Sequence, residues 1–160
     1  MARTAPRSGV DQSPVWLALR RPDHPAVFIV DRDRASIADY AGLAAMDCDV
    51  FAARDSDDVV RKAGDLWPHV IVMDLQRADV LRWEMIARLR QSGWTSGIRL
   101  IAVSDEPGVR DEAFANGCDA FLCKPVTPQT LRAQIRALIE PPESRTIRRE
   151  APQMPIRPAA

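Results

Sequence analysis

Four short apolar runs in this chain each end at a polar or charged side chain. The clearest is Val70-Ile-Val-Met73, which stops at Asp74. Such a run is typical of a strand buried on both faces in the middle of a parallel sheet. The other three runs are residues 27–30 before Asp31, residues 100–103 before Ser104, and residues 120–123 before Lys124. Because open α/β sheets carry their chemistry at the carboxyl ends of the strands, we expect one shared site there.

Helical patterns separate these runs and complete an alternation of strands and helices. We expect strands at residues 27–30, 49–53, 70–73, 98–103 and 119–123, each followed by a helix. The sequence signals for the helix ends are Ser36 as N-cap of the first helix, Asp55 or Ser56 as N-cap of the second, a left-handed end at Asn116-Gly117, and Thr127-Pro128 at the start of the last helix. The third helix is marked by Leu81, Met85, Ile86 and Leu89.

The alternation predicts an α/β fold with a doubly wound, five-stranded parallel sheet, because right-handed crossovers must cover both faces of the sheet. We expect the strand order 2-1-3-4-5. In that order the first and third strands are neighbours at a topological switch point, so Asp31 and Asp74 would open into one crevice.

Length and composition favour one domain. The chain has 160 residues, of which 46% are hydrophobic and 28% charged, enough for a single core of ordinary size. We expect a flexible N-terminal segment at 1–25, a domain at 26–140 and a disordered Arg- and Pro-rich tail at 141–160. In the N-terminal segment, residues 15–21 could form one or two helical turns, which would be either a local clasp onto the domain or a partner-docking peptide with Trp16 as its anchor.

Charge and hydropathy exclude several classes of partner. Lys+Arg and Asp+Glu total 22 each, so we expect no nucleic-acid binding from the overall charge. The apolar runs fall far short of the ~20 residues that span a bilayer, and the first residues lack a secretory signal core. Three cysteines without zinc-type spacing are expected to be buried reduced thiols. The sequence thus predicts a cytoplasmic protein without membrane contact.

The strand-end residues resemble a known family. Residues 26–139 are similar to the receiver domain of bacterial two-component response regulators, the chemotaxis-receiver-like, flavodoxin-like module that accepts a phosphoryl group. The matching pieces are Val27-Phe-Ile-Val-Asp31, Val70-Ile-Val-Met-Asp74, Ile101-Ala-Val-Ser104 and Phe121-Leu-Cys-Lys124-Pro125, in the family's order and close to its spacing.

The resemblance implies a role for each of five residues. Asp74 matches the aspartate that accepts a phosphoryl group from a histidine kinase, and Ser104 and Lys124 match the groups that contact the phosphoryl oxygens. Phe121 matches the aromatic residue that reports the switch, and Pro125 matches a proline whose preceding bond is often cis. These roles suit phosphoryl transfer, where catalysis is mostly positioning and charge compensation.

The metal-binding half of the site departs from the family. Receivers carry two adjacent acidic residues after the first strand, but this chain has Asp31-Arg32-Asp33, with Arg32 at the position of a metal ligand. Mg²⁺ prefers oxygen ligands, so we expect its binding to be severely weakened. If Mg²⁺ binds, its ligands would be Asp31, Asp74 and the backbone carbonyl of Gln76.

The loop after Asp74 departs as well. The family usually has Met-Pro three and four residues beyond the aspartate and glycine at eight, whereas this chain has Arg77, Ala78 and Arg82. The loop has therefore lost its usual turn chemistry.

Arg32 suggests a replacement for the metal. A guanidinium about 4 Å from Asp74 would attract it by roughly 4 kcal/mol at an effective dielectric of ~20, before desolvation. Arg32 would then hold the site in one state as a permanent ion pair, which we favour, or stabilise an incoming phosphoryl group as an arginine finger does.

Two functions follow from these residues. We expect a single-domain, non-enzymatic, receiver-like protein of two-component phosphorelay signalling that acts through protein–protein contacts as a pseudo-receiver, meaning a receiver fold that binds a partner without being phosphorylated. The alternative is a receiver in which Asp74 is phosphorylated by a histidine kinase or phosphotransferase despite Arg32. The partner is a histidine kinase, a phosphotransferase or another signalling protein, and the sequence leaves the oligomeric state open.

Overall fold

Five strands of the chain form one parallel sheet. They are β1 (Ala26–Val30), β2 (Asp49–Ala53), β3 (Val70–Asp74), β4 (Arg99–Ser104) and β5 (Ala120–Cys123). The computed structural model describes residues 21, 23–54 and 59–140. The strand order is β2-β1-β3-β4-β5, which confirms the predicted order and the doubly wound α/β fold.

Helices connect successive strands and flank the sheet. They are α1 (Arg34–Tyr40), α2 (Val59–Leu66), α3 (Val80–Gln91), α4 (Arg110–Ala115) and α5 (Pro128–Ile139), with 3₁₀ turns at Ala41–Met46 and Pro107–Val109. The strands in the centre of the sheet are almost wholly buried, and every residue of β1 is buried. This burial on both faces explains why the strands read as continuous apolar runs.

The start of the first helix differs from the prediction. Asp33, not Ser36, is the N-cap: its carboxylate accepts hydrogen bonds from the amide of Ala35 at 3.0 Å and from the hydroxyl of Ser36 at 3.2 Å. The helix then tightens into a 3₁₀ turn at Ala41. The negative charge of Asp33 also interacts favourably with the positive end of the helix dipole, so Asp33 is a better N-cap than Ser36.

The buried face of α3 also differs from the sequence pattern. Leu81 was a marker of this helix, but its side chain is 54% exposed. Arg82 is buried instead and shares the inner face with Met85, Ile86 and Leu89. The spacing of these four residues is i, i+3, i+4, i+7, so an arginine occupies the first place of the apolar stripe.

The remaining helix ends follow the sequence closely. Gly117 adopts a φ of +100° after α4, a conformation that favours glycine. Thr127 caps α5 by accepting a hydrogen bond from the amide of Thr130, and Pro128 is the first helical residue. The predicted caps Asp55 and Ser56 of the second helix lie outside the described residues.

The hydrophobic core is split by the sheet into two clusters. One packs α2, α3 and α4 against the sheet around Phe28, Ile71 and Ile86. The other packs α1 and α5 against the opposite face around Ile29, Val72 and Leu131. Because both faces are covered, the carboxyl ends of the strands are left as the place where polar groups can meet.

Two of the three cysteines lie in this core. Cys48 and Cys118 are buried, as predicted, and burial raises the pKa of the Cys118 thiol to about 12. Cys123 is exposed, so the prediction of a buried thiol is wrong for this residue. It ends β5 at the edge of the sheet, where one side of the strand faces solvent.

The described part of the N-terminal segment contacts the domain. The amide of Arg21 and its Nε donate to the Asp49 carboxylate at 2.6 and 2.7 Å, and Arg21 Nη2 donates to the Cys48 carbonyl oxygen at 3.1 Å. The Trp16 stretch and the tail at 141–160 lie outside the described residues. Within the described ranges, each helix is too short or too polar to cross a bilayer.

Candidate functional site

The structure brings Asp31, Asp74, Ser104 and Lys124 to one edge of the sheet. Asp31 directly follows β1, Asp74 ends β3, Ser104 ends β4, and Lys124 directly follows β5. The Lys124 amide donates a 2.8 Å hydrogen bond to the Ser104 carbonyl oxygen, which fixes the last two strand ends side by side. Strand order alone therefore assembles this polar edge.

Asp74 and Lys124 form a close ion pair. Lys124 Nζ lies 2.7 Å from Asp74 Oδ1, and both side chains are largely shielded from solvent. Burial on its own lowers the pKa of Lys124, but the hydrogen bond and charge of Asp74 outweigh it and raise the pKa overall. Lys124 is therefore firmly protonated and Asp74 carries a bound cation.

Asp31 is the most buried carboxylate of the site. Its Oδ1 accepts a 2.8 Å hydrogen bond from the Asp33 amide, while Oδ2 is buried without a hydrogen-bond partner among the described residues. Burial raises the pKa of Asp31; the Asp33 amide opposes this rise, and the negative charge of Asp74 adds to it. The carboxyl group is thus held in a setting that disfavours its charge.

Arg32 does not make the contact that the sequence suggested. Its Nη2 lies 3.1 Å from Asp79 Oδ2, and the side chain is 58% exposed. The predicted ion pair between Arg32 and Asp74 is therefore wrong. Asp74 is paired with Lys124 instead, and Arg32 pairs with Asp79, the N-cap of α3. Arg32 lies at the rim of the site.

Arg82 supplies a guanidinium inside the site. Its side chain is 1% exposed, and Nη1 donates a 2.9 Å hydrogen bond to the carbonyl oxygen of Val30, the residue before Asp31. Its Nε lies 3.6 Å from Asp79 Oδ2. Burial lowers the pKa of Arg82, while the charges of Asp79, Asp74 and Asp31 raise it. The buried cation therefore lies within electrostatic range of all three carboxylates.

Sequence reasoning missed Asp79 and the burial of Arg82. Asp79 accepts hydrogen bonds from the Arg82 amide and from Arg32, which makes it the link between the two arginines. Two signals were present in the sequence. An aspartate immediately before a helical pattern predicts an N-cap, and Arg82 stands at a core position of the helical repeat.

The loops beside the site are tied together by another arginine. Arg77 Nη2 donates a 2.7 Å hydrogen bond to the Gly108 carbonyl oxygen, which joins the loop after β3 to the loop after β4. The Trp83 indole donates to the Arg77 carbonyl oxygen at 3.3 Å. These contacts replace the turn chemistry that the loop lacks.

The other predicted site residues have defined places. Ser104 is fully buried, and its Oγ accepts a 3.0 Å hydrogen bond from the Glu106 amide, as a loop-capping serine does. Phe121 is half-buried and packs against the core cluster around Phe28. The bond between Lys124 and Pro125 is cis.

A pocket of about 400 Å³ opens beside the Lys124 ammonium. Its lining residues are Ser36, Asp39, Tyr40, Lys124, Pro125 and Val126. Burial raises the pKa of the Tyr40 phenol, which lies within electrostatic range of Lys124. The pocket therefore lies between α1 and the segment that follows β5.

The donor set of this edge does not fit Mg²⁺. A metal ion bound to Asp31 and Asp74 would lie within electrostatic range of the buried guanidinium of Arg82, and the residue after Asp31 is Arg32 instead of a carboxylate. No group of three or more His, Cys, Asp or Glu side chains suited to a metal ion occurs in the described ranges. Mg²⁺ prefers near-octahedral oxygen ligands, and the positive charges of the buried Arg82 and of Arg32 at the rim oppose its binding.

Comparison with known proteins identifies the family of this chain. A sequence model of the response regulator receiver domain matches residues 27–136. The chain belongs to the response regulator receiver family. The family is mainly a signalling module of two-component systems, and its members interact with histidine kinases or phosphotransferases in phosphorelays.

Curated relatives of this receiver include proteins from Mycobacterium tuberculosis and Pseudomonas aeruginosa. Transcriptional regulatory protein TrcR of Mycobacterium tuberculosis is 28% identical over 91 residues, which cover 57% of this chain and 35% of TrcR. Protein PilG of Pseudomonas aeruginosa is 27% identical over 92 residues, which cover 56% of this chain and 68% of PilG. The receiver thus spans about a third of TrcR and two thirds of PilG.

Solved structures share the receiver fold. Chemotaxis response regulator CheY4 of Vibrio cholerae superposes with a TM-score of 0.65 at 20% identity, covering 72% of this chain and 99% of CheY4. The receiver domain of sensor histidine kinase PA1611 from Pseudomonas aeruginosa, solved with a magnesium ion in its active-site cleft, gives a TM-score of 0.64 at 16% identity, covering 72% and 97%.

Proposed function

We propose that this receiver is a pseudo-receiver of two-component signalling, which binds a signalling protein through its surface without phosphorylation of Asp74. The observation that carries the proposal is the buried guanidinium of Arg82, bound to the Val30 carbonyl oxygen and facing Asp79. A cation built into the fold gives the acidic edge a permanent counter-charge. The site then holds one electrostatic state.

The charges of the site support this assignment. Three carboxylates, on Asp31, Asp74 and Asp79, meet three cations, on Lys124, Arg82 and Arg32. The family resemblance implies an acidic cluster whose excess charge a divalent metal balances. Here Arg32 and Arg82 together carry two positive charges, as a divalent metal ion does. The negative charge of the site is therefore balanced by side chains of the protein itself.

The state of Asp74 supports it as well. A carboxylate that attacks phosphorus must release its cation partner or share it with the incoming group, and Lys124 lies 2.7 Å from Asp74 Oδ1. Arg82 Nη1 is bound to the Val30 carbonyl oxygen and Nε lies 3.6 Å from Asp79 Oδ2, so the guanidinium is anchored to the chain itself. Charge compensation at the transferred phosphorus would therefore be poor.

Partner binding is the function that remains for such a domain. We expect the partner to be a histidine kinase, a phosphotransferase or another protein of a phosphorelay, recognised in the unphosphorylated state. Phosphorylation of Asp74 in spite of the arginines is the competing function, and it makes the opposite prediction about metal dependence.

The test is a titration with Mg²⁺ and beryllofluoride, a phosphoryl mimic, followed by NMR of the parent protein and of the Arg32→Asp, Arg82→Gly double variant. We expect no saturable change in the parent, and a saturable, Mg²⁺-dependent change in the double variant. Arg34→Asp, which changes the same charge at the exposed start of α1, serves as the matched control and should behave as the parent.

Each result decides between the two functions. A saturable Mg²⁺-dependent response of the parent overturns the proposal in favour of a phospho-accepting receiver. Silence of both proteins, with the variant shown to be folded, removes the two arginines as the cause. Phosphotransfer assays with acetyl phosphate and with histidine kinases should agree with the titration.

A further inference from the structure

A second surface lies at the opposite edge of the sheet from Asp74. Trp67 and Trp94 are 56% and 75% exposed, and their ring centroids lie 6.3 Å apart with the planes tilted by 49°. They border a groove of about 440 Å³. Exposed tryptophans are rare on a free surface, and a pair beside a groove is typical of a binding site.

Three separate segments build this groove, which we call the Trp67–Trp94 groove. They are the end of α2, the connection from α3 to β4 and the end of α5. Its apolar lining consists of Trp67, Pro68, Trp94, Ile98, Leu138 and Ile139. The floor is thus aliphatic and the rim aromatic, which suits a ligand with a flat apolar face.

The backbone of Trp67 is strained in a way that presents its ring. Its φ is +46°, and its amide donates a 3.0 Å hydrogen bond to the Ala63 carbonyl oxygen at the end of α2. This is the left-handed position after a helix, where glycine is the usual residue and a bulky side chain is an outlier. Since the fold itself would prefer glycine here, the indole points to a function outside the Asp74 site.

The chain's own C-terminal sequence offers an occupant of matching chemistry. Residues 152–158 read Pro152-Gln-Met-Pro155-Ile-Arg-Pro158, with a proline at every third position. A polyproline II helix has three residues per turn, so the three prolines would lie along one face. Aromatic-lined grooves bind that kind of face.

The path of the chain brings this segment to the groove. Ile139, the last residue of α5, lines the groove itself, and eleven residues, 141–151, separate Glu140 from Pro152. Extended chain covers about 3.5 Å per residue, so this connection is ample for the segment to fold back. Tethering also gives the segment a high effective concentration, on the order of millimolar, at the groove.

We propose that residues 152–158 dock in the Trp67–Trp94 groove as a polyproline II segment. Pro152, Pro155 and Pro158 pack against the indoles, and Arg157 can lie over an indole face as a cation–π contact. The tail then acts as a built-in ligand that covers the groove, and a proline-rich segment of another protein would have to displace it.

The test uses the full chain labelled with ¹⁵N at its four tryptophans, whose indole signals are assigned by single Trp→Phe variants. Replacing Pro152, Pro155 and Pro158 with alanine should shift the indole signals of Trp67 and Trp94 and leave that of Trp83 in place. The matched control replaces Pro141 and Pro142, which lie outside the three-residue repeat, and should leave all four signals unchanged.

A second variant separates docking from folding. Trp67→Gly relieves the positive φ, so its thermal midpoint should equal or exceed that of the parent. It should nevertheless abolish the contacts that nuclear Overhauser effects detect between Trp94 and residues 152–158. Loss of these contacts in a folded Trp67→Gly protein supports the proposal.

Three results would overturn the proposal. The first is an unchanged pair of Trp67 and Trp94 signals in the triple alanine variant. The second is contact of the groove with residues near Trp16, which would make the N-terminal segment the occupant. The third is a shift that depends on protein concentration, which would make a second copy of the chain the occupant.

Discussion

Arg82 Nη1 donates a 2.9 Å hydrogen bond to the carbonyl oxygen of Val30, reaching from the first turn of α3 to the end of β1. The contact joins the helix that follows the central strand to the strand that carries Asp31. It also brings a buried cation within electrostatic range of Asp31 and Asp74, the carboxylates at the ends of β1 and β3. Stability and electrostatics of the site therefore depend on the same side chain.

Removing this cation should destabilise the fold. In Arg82→Met the apolar stem is kept, but Asp79 loses one of its two arginine partners and the Val30 carbonyl oxygen loses its donor. We expect a loss of about 3 kcal/mol in the free energy of unfolding, as for other buried pairs that lose one member. Urea denaturation measures it.

The control for this variant lies on the same helix. Arg88→Met changes an exposed arginine of α3 and should alter stability by less than about 0.5 kcal/mol. Millimolar Mg²⁺ should restore part of the lost stability in Arg82→Met and have no effect on the parent. Equal costs for the two substitutions would contradict the role of Arg82 as the internal counter-charge.

Asp31 should make stability depend on pH. Burial raises its pKa above the unfolded value, so its contribution to stability is complete below the unfolded pKa of about 3.9 and is lost as pH rises through the folded pKa. Asp31→Asn should therefore be more stable than the parent at neutral pH, and the difference should vanish in acid. Thermal unfolding of both proteins at a series of pH values from acid to neutral tests this.

Asp33 provides a control of opposite sign. The hydrogen bond from the Ala35 amide lowers the pKa of Asp33, so its carboxylate contributes stability above the unfolded pKa and loses it as pH falls through the folded pKa. Asp33→Asn should be the less stable protein at neutral pH. If both substitutions shifted stability in the same direction, the assignment of Asp31 as a strained buried acid would be wrong.

The sheet could be predicted because its signals are local. Runs such as Val70–Asp74 are apolar without alternation, which happens when both faces are covered, and the helix signals between them demand parallel crossovers. Helix ends were predicted correctly where the backbone strongly favours a few residue types. Gly117 has a positive φ, and the Thr127 side chain caps the first turn of α5. The predicted N-cap of α1 was wrong because Asp33 and Ser36 are both residue types that cap a helix.

The site was predictable in its strand-end residues and not in its arginines. Asp74 and Lys124 meet because strand order fixes their places, and this holds for any side chain at a strand end. Arg32 and Arg82 have long side chains with several rotamers, and the carboxylate that each reaches depends on competition within the folded site. Both arginines contact Asp79. The sequence pattern around Asp79 predicts a helix N-cap, but it does not predict that this carboxylate also pairs with two arginines.

The ion pair of Asp74 and Lys124 should be measurable through the lysine. Asp74 raises the pKa of Lys124 against the effect of burial, so Asp74→Asn should lower that pKa. The pair contributes stability below the unfolded lysine pKa of about 10.4 and loses it as pH rises through the higher folded value. NMR titration of the Lys124 ε-methylene group reports the change directly.

A double-mutant cycle measures the strength of this pair. Because both side chains are partly shielded and the distance is 2.7 Å, Asp74→Asn and Lys124→Met should show a coupling of about 1 kcal/mol. The exposed pair of Arg136 and Glu140 at 3.4 Å in α5 is the reference and should couple by roughly 0.3–0.5 kcal/mol. Equal coupling for the two pairs would contradict the shielding of the Asp74 site.

Gly117 should tolerate substitution less well than Gly64. Its φ is +100°, and an added Cβ would lie 3.1 Å from Arg90 Nε. Arg90 donates to the Gly117 carbonyl oxygen through Nε and Nη2 at 2.9 and 2.7 Å, so the crowded side chain cannot withdraw without losing these bonds. We expect Gly117→Ala to cost about 1–2 kcal/mol from backbone strain alone.

Gly64 is the matched control. It lies inside α2, and an added Cβ would meet no neighbouring atom within 4 Å outside its own helix. Gly64→Ala should therefore stabilise the fold by about 1 kcal/mol, and urea denaturation of both variants measures the difference.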